Sequence, residues 1–356
     1  MAEPVCYIVT GGAGFVGSNC CAAISKARPD ARVLCIDDFR TGSFHNLIEA
    51  YDRIAQGPVT CEVWPEDWTR AIDLLAGTWA SSPGVPSPAL HGPVAVVHMA
   101  AITDTTVDDQ RAMLATNAGR AWEAMLRGVV KGSHRLVYAS SAATYGTPPQ
   151  ARDRQPFPLD AAGRPENIYG FSKWAMEQAH RRVQREHPRA WIVGLRFFNV
   201  FGPGESSKGA MASMAYKLAQ QMLQGQRPRL FAPGDQARDQ VYVDDVVAGV
   251  LAALGLGGRR DPQPGIYNMG SGLATTFNQV ADAVRAGLGL PSDQLPTEYF
   301  QMPEHIARFY QSFTQADMSQ TSQALGFEPA HDPVQATRQY AQYLAQYRAR
   351  RAGGPR

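Results

Sequence analysis

The run Tyr-Ile-Val-Thr-Gly-Gly-Ala-Gly-Phe-Val-Gly from Tyr7 to Gly17 constrains the fold more than any other part of this chain. Four apolar or β-branched residues predict a buried strand, and the residues after Gly14 begin a helical pattern. Between them Gly11, Gly14 and Gly17 are spaced three apart. Glycines so placed permit a tight turn, let the backbone approach a pyrophosphate, and allow helix and strand to pack closely. A helix starting there offers unpaired N–H groups and a positive dipole end to phosphate. Asp37 stands twenty residues beyond Gly17, at the end of the next apolar run, where a carboxylate accepts hydrogen bonds from a ribose. Strand, glycine turn, helix and acid together predict a dinucleotide site.

The rest of the first half agrees with this start. Val5–Thr10, Arg32–Ile36, Val94–His98, Arg135–Ala139 and Trp191–Arg196 read as strands, and Gly14–Ala27, Asp108–Val130 and Asn167–Glu186 as helices. Such alternation predicts an α/β fold, a Rossmann doubly wound parallel sheet with right-handed crossovers. After Asn199 the alternation breaks down. Helices are expected at Lys208–Leu223, Asp245–Leu254, Phe277–Leu288 and Pro333–Tyr347, with short strands at Arg229–Phe231 and Ile266–Met269. We therefore expect a Rossmann domain over residues 1–198, joined by segments near 240–270, and a smaller C-terminal α/β substrate-binding domain over 199–350. The Pro- and Ser-rich stretch from Thr78 to Pro93 reads as a surface loop, and the arginines from Arg348 onward as a frayed tail.

Composition narrows the partners. With 34 basic and 32 acidic side chains the net charge is +2, which provides no global field for nucleic acid. No segment approaches the ~20 apolar residues of a spanning helix, and Met1–Pro4 runs straight into a strand. Five cysteines without metal-ligand spacing suit buried thiols in a reducing compartment, so a cytoplasmic location is expected.

The chemistry-bearing residues lie further along. Ser141 ends the strand through Tyr138, and Tyr169 and Lys173 are four apart on a helix, hence on one face. The ammonium would lower the phenol's pKa, Ser141 would hydrogen-bond the same substrate oxygen, and Tyr169 would take a hydroxyl proton while a nicotinamide takes the hydride.

On these motifs the chain resembles the extended short-chain dehydrogenase/reductase superfamily over almost its whole length. Within it, Ser140-Ser-Ala-Ala-Thr-Tyr-Gly146, Arg196-Phe-Phe-Asn-Val-Phe-Gly-Pro203, Lys208-Gly-Ala-Met-Ala-Ser213 and Phe313-Thr-Gln-Ala-Asp317 look like the ADP-glyceromanno-heptose 6-epimerase family. The resemblance implies epimerisation of a nucleotide sugar at carbon 6, with bound cofactor reduced and reoxidised in each turnover, in a homo-oligomer. It implies Tyr169 as acid/base on one face and Lys208 on the other. Cofactor contacts would come from Gly11, Gly14, Phe15, Val16, Gly17, Asp37, Asp38, Arg40, Ala100, Ala101, Asn117, Tyr169, Lys173 and Val200. Substrate contacts would come from Ser141, Asn199, Ala210, Lys217, Phe231, Arg238 and Tyr310, the guanidinium of Arg238 holding the diphosphate unless it pairs with Asp239. Ala210 and Lys217 stand where serine and histidine are usual, and Phe231-Ala-Pro-Gly234 replaces a more polar stretch. Asp37 and Asp38 would repel a 2′-phosphate, Arg40 would offset that, and Phe44 and Pro65 occupy places of phosphate-binding lysines; NAD is expected, with NADP the close alternative.

Two other readings share these features. A 4-epimerase of hexose nucleotides needs the same Ser, Tyr and Lys without Lys208, and a non-catalytic dinucleotide-binding module needs none of the three. A 4,6-dehydratase would carry an Asp-Glu pair where Ala142 and Ala143 stand.

Overall fold

A computed structural model describes residues 3–76, 92–104, 107, 109–257, 261–304 and 310–353. Seven parallel strands form the central sheet: β1 (Cys6–Thr10), β2 (Arg32–Ile36), β3 (Glu62–Trp64), β4 (Val94–His98), β5 (Arg135–Ser141), β6 (Trp191–Phe197) and, after three intervening strands described below, a last strand Gly265–Met269. Their order is Gly265–Met269, β6, β5, β4, β1, β2, β3. Every neighbouring pair is parallel, and the order reverses between β1 and β4, where the sheet splits open. In doubly wound folds the ligand lies in that crevice, beyond the carboxyl ends of the strands.

The strands are apolar on both faces because both are covered. In β1, Tyr7 and Val9 point into one core with Val97 and Val193, while Cys6 and Ile8 point into the other with Trp122 and Leu136. This is the continuous apolar pattern of a buried parallel sheet. Beyond β6 the chain adds β7 (Asn199–Phe201), β8 (Arg229–Phe231) and β9 (Ala237–Tyr242), then Gly265–Met269 as β10, β11 (Ala274–Thr276) and β12 (Glu298–Phe300). β11, β9 and β7 make a small sheet, and β12 pairs with β8. A third core, with Leu218, Phe277, Val280 and Tyr340, holds the helices Met214–Leu223, Phe277–Gly287 and Pro333–Gly353 together.

Three local expectations fail for physical reasons. The long helix over Asp108–Val130 is two helices, Gln110–Ala118 and Arg120–Lys131, because Gly119 takes an extended conformation and caps the second. Residues Glu205–Met211 form a 3₁₀ turn in which Gly209 has φ +52°, so Lys208 is not in the first turn of the Met214–Leu223 helix. The arginine-rich end is not frayed at Tyr347; the helix runs to Gly353, and Arg348 donates to the Leu223 carbonyl at 2.8 Å. Most of the Thr78–Pro93 loop lies outside the described residues. Among them, no helix is long and apolar enough to cross a membrane.

Candidate active site

The glycine turn sits at the sheet's open crevice. Gly11 has φ +65°, and a Cβ there would lie 2.7 Å from the Ala100 amide nitrogen, so β1 and the segment after β4 approach as closely as backbones allow. A Cβ on Gly17 would collide with the Gly11 carbonyl, which is why helix and turn stay in contact. The helix Phe15–Ala27 begins at Gly14 with no side-chain cap and no acid in its first turn. The N–H groups of Phe15, Val16 and Gly17 are therefore left for an anion. Asp37 is buried and accepts from the Ala13 and Phe39 amides at 2.9 and 2.8 Å, tying the end of β2 to the turn. A carboxylate has room for further donors beyond these two. Asp38 and Arg40 pair with each other at 3.0 Å, so the arginine's charge is already matched. Ala100, Ala101 and Val200 are half-buried around the same crevice. The residues present fit NAD: donors for its pyrophosphate, a carboxylate for its ribose, and at the ribose end an Arg40 whose charge Asp38 already meets.

Asn117 serves the protein itself. Its amide accepts from the Ile102 N–H and donates to the Ile102 carbonyl and the Ser172 hydroxyl, fastening the segment after β4 to the helix Ile168–Glu186. That helix starts close to the end of β5, because Gly170 lets it in; a Cβ there would stand 2.5 Å from the Ala143 carbonyl. Tyr169 is thereby brought into hydrogen-bonding contact with Ser141. Lys173, buried, donates to the Ala139 carbonyl at 2.8 Å and stands 6.0 Å from the centre of the Tyr169 ring.

The electrostatics differ from the sequence expectation. Burial raises the Tyr169 phenol above its ordinary value, and the Ser141 hydrogen bond opposes it. The ammonium alone does not bring the phenol down. Lys173 is itself shifted, its pKa lowered by burial to about 8. Both groups of the pair are thus held toward their neutral forms, which is the direction a proton-transfer site requires.

Lys208 lies against the glycine turn, its ammonium 5.2 Å from the centre of the Phe15 ring. It makes no hydrogen bond or ion pair among the described residues. Burial lowers its pKa, the nearby buried Glu205 raises it, and the exposed Lys217 lowers it. Glu205 is occupied by the Gly202 amide and by the amide and hydroxyl of Ser213. Ala210 and Asn199 are exposed.

Arg238 does not pair with Asp239. The Asp239 carboxylate accepts from the Ser271 amide and hydroxyl and from the Gly272 and Ala316 amides. Arg238 is 8% exposed; its polar partners among the described residues are the Ala237 carbonyl and the Tyr310 hydroxyl, and its guanidinium stands 5.1 Å over the Tyr310 ring. Among the described residues it is a buried cation with no carboxylate. Phe231 stands edge-on to Tyr310 at 5.7 Å and against Phe300 at 4.8 Å. Phe300 is an aromatic wall that sequence reading missed, since one residue in a three-residue strand carries no pattern.

Behind Ser141 lies a second feature the sequence did not disclose. Ser140 donates to Glu177 at 2.6 Å, and Arg196 grips the same carboxylate with two bonds of 2.8 and 2.7 Å. Arg196 also reaches the Tyr145 hydroxyl, which donates to Asn268 on β10. The available signal was a lone arginine in the apolar run of β6.

Comparison with known proteins bears directly on this arrangement. The model of the NAD dependent epimerase/dehydratase family matches residues 7–270, from β1 through the end of β10. The chain belongs to that family. This member of the epimerase/dehydratase family is 32% identical, over 95% of its length and 98% of the relative's, to ADP-L-glycero-D-manno-heptose-6-epimerase of Cupriavidus pinatubonensis. The crystal structure of the Helicobacter pylori ADP-L-glycero-D-manno-heptose-6-epimerase is similar at TM-score 0.78 and 29% identity, covering 96% of this chain and 97% of that one. UDP-glucose 4-epimerase of Thermotoga maritima shares the fold at TM-score 0.74 and 22% identity, covering 96% and 99%.

Proposed function

We propose that this chain is a nucleotide-sugar epimerase that inverts carbon 6 of an ADP-bound heptose, working in a homo-oligomer. The observation that carries this reading is Lys208: a half-buried ammonium with no hydrogen-bonded partner among the described residues, resting on Phe15 beside the dinucleotide turn. A 4-epimerase of hexose nucleotides has no use for it. NAD bound at the glycine turn supplies hydride acceptance and return at the sugar carbon.

The chain's own residues handle protons and position. Tyr169, hydrogen-bonded to Ser141, takes the proton of the carbon-6 hydroxyl, and Ser141 holds the same oxygen. Lys173 anchors this corner through the Ala139 carbonyl. Inversion requires the transient carbonyl to be presented by its opposite face, so a second proton donor must serve the turned oxygen. Burial lowers the Lys208 pKa from its ordinary value, the direction that lets its ammonium give up and regain a proton more readily. Arg238 and Tyr310 hold the diphosphate while the sugar turns, since a planar fork binds two oxygens at once. Phe231 and Phe300 offer the nucleobase an apolar wall.

The test is incubation of the NAD-loaded protein with ADP-D-glycero-D-manno-heptose, with carbon-6 stereochemistry followed by NMR. Inversion at carbon 6 is expected. Inversion of UDP-glucose at carbon 4 instead would replace this reading with the hexose one, and turnover of neither would leave a dinucleotide-binding module.

A further inference from the structure

Lys208 depends on its backbone for its place, because among the described residues its ammonium makes no hydrogen bond and meets the dinucleotide turn through the Phe15 ring at 5.2 Å. A flexible four-carbon stem with a free tip goes where its backbone aims it. The turn that carries it, Glu205–Met211, is closed on itself by Glu205, whose carboxylate accepts from the Gly202 amide and from the amide and hydroxyl of Ser213. Those three bonds shape the turn without fixing it relative to the cofactor side.

Two asparagines of the Rossmann core supply that fixation. Asn19, in the helix Phe15–Ala27, donates to the Phe15 carbonyl at 2.8 Å and to the Pro203 carbonyl at 3.3 Å, and its oxygen accepts from Arg53 at 2.5 Å. Gly204 closes against this contact; a Cβ there would stand 3.3 Å from the Asn19 amide nitrogen and 3.4 Å from the Phe15 ring. Asn46, in the short helix Phe44–Ala50, donates to the Ala13 carbonyl at 2.9 Å and to the Ser207 hydroxyl at 3.2 Å. A carbonyl only accepts, so the Asn46 nitrogen must face Ala13, and its two hydrogens are both used. Ala13 lies within the glycine turn, and its own amide donates to Asp37 at 2.9 Å. Asn46 is 2% exposed, whereas Ser207 is exposed and has this one hydrogen bond among the described residues. A single buried amide thus joins the residue next to Lys208 to the turn that also holds the ribose carboxylate.

We propose that Asn46 is a positioning residue: through Ser207 it clasps the Lys208 turn to the dinucleotide turn and keeps the ammonium aimed at the sugar during turnover. This role rests on Lys208 being the second proton donor; the clasp itself does not. Small displacements of a reacting group are costly in rate, so one bond at the base of a flexible side chain is felt in kcat. Asn19 pins the other end of the same segment, but both groups that it holds there are backbone carbonyls. Only the Asn46 bond can be cut from an exposed side chain.

The test uses the NAD-loaded full chain, with inversion of the ADP-heptose followed by NMR and with lysine labelling by an acetyl ester mapped by mass spectrometry. Ser207→Ala should lower kcat about threefold to tenfold, the worth of one neutral hydrogen bond, with KM and NAD affinity within about twofold. Ser207→Thr, which keeps the hydroxyl, should restore kcat. Asn46→Ala should lower kcat at least as far, and adding Ser207→Ala to it should cost nothing more, since both remove the same bond. Independently of any turnover, Ser207→Ala should let Lys208 label about threefold faster while the exposed Lys217 is unchanged. Wild-type kcat and wild-type Lys208 labelling in Ser207→Ala overturn the clasp, as do additive losses in the double variant. Faster labelling with kcat unchanged overturns its part in the reaction, and a Lys208→Met that also turns over normally locates that failure in the base assignment. Ser207 is exposed, so its variants report even where Asn46→Ala fails to fold.

Discussion

Replacing Arg238 by Met separates a ligand-binding charge from a structural one, because the two roles predict opposite signs. Arg238 is 8% exposed, and among the described residues its guanidinium meets a carbonyl and a phenol but no carboxylate. Burial lowers its pKa, a sign that the folded protein holds this charge at a cost. Methionine of similar length keeps the packing over Phe277 and Tyr310 and removes the cation. Replacing buried charge by well-packed apolar groups is neutral or stabilising by about 1–4 kcal/mol. The lost hydrogen bonds to a diphosphate, each charge-assisted, are worth about 1.5–3 kcal/mol, roughly a 10- to 150-fold rise in Kd at 1.4 kcal/mol per decade. Urea unfolding would give the first quantity, and titration of ADP into protein saturated with NAD the second. A lower urea midpoint together with unchanged ADP affinity refutes the reasoning and makes Arg238 part of the scaffold.

Tyr169→Phe should abolish epimerisation while NAD stays bound, since only the hydroxyl is removed; turnover near the wild-type rate discards it as the acid/base. Lys208→Met is expected to lose activity with NAD affinity unchanged, and unaltered kinetics would remove the second base. Lys173, with a folded pKa of about 8, loses its charge as pH rises through that value. The pH profile of kcat/KM should therefore fall above about 8, and a flat profile to pH 10 contradicts the role of the charge. Its depressed pKa also means the unfolded chain binds more protons between about 8 and 10.5, so this residue's contribution to stability rises with pH across that window. Glu177→Gln leaves Arg196 buried without a carboxylate and should cost about 3–5 kcal/mol in urea unfolding; a change under 1 kcal/mol would show that the pair is dispensable.

What the sequence disclosed was local. The glycine turn, β2 with Asp37, and the Tyr169–Lys173 spacing each place their groups within one or two elements, so residue order fixes the geometry. β3 escaped notice because it is three residues long, pairs only with β2, and carries no alternation. The break at Gly119 looked tolerable within a helical pattern; tertiary packing chose the extended conformation. The Glu177–Arg196 pair depends on the crossover between the helix Ile168–Glu186 and β6, and no spacing rule announces it. Lys208 was found by motif, but its turn was misread because Gly209 interrupts the helix that the pattern suggested.

The two walls of the site treat polar groups in opposite ways, and the difference says where substrate goes. On the sheet side the buried polar groups meet partners within the protein: Arg196 meets Glu177, Ser140 the same carboxylate, the Tyr145 hydroxyl Asn268, and Lys173 the Ala139 carbonyl. This wall is rigid, as it must be if Ser141 and Tyr169 are to hold one oxygen at a fixed point over the crevice. On the other side Arg238 lacks a carboxylate among the described residues, and Lys208 lies near a Glu205 already occupied by three hydrogen bonds from Gly202 and Ser213. Unanswered buried cations cost stability, and a fold keeps them where a ligand's negative charge completes them. An anion held at Arg238 by one end, with a sugar free to turn between Tyr169 and Lys208 at the other, is the arrangement that inversion at a single carbon demands.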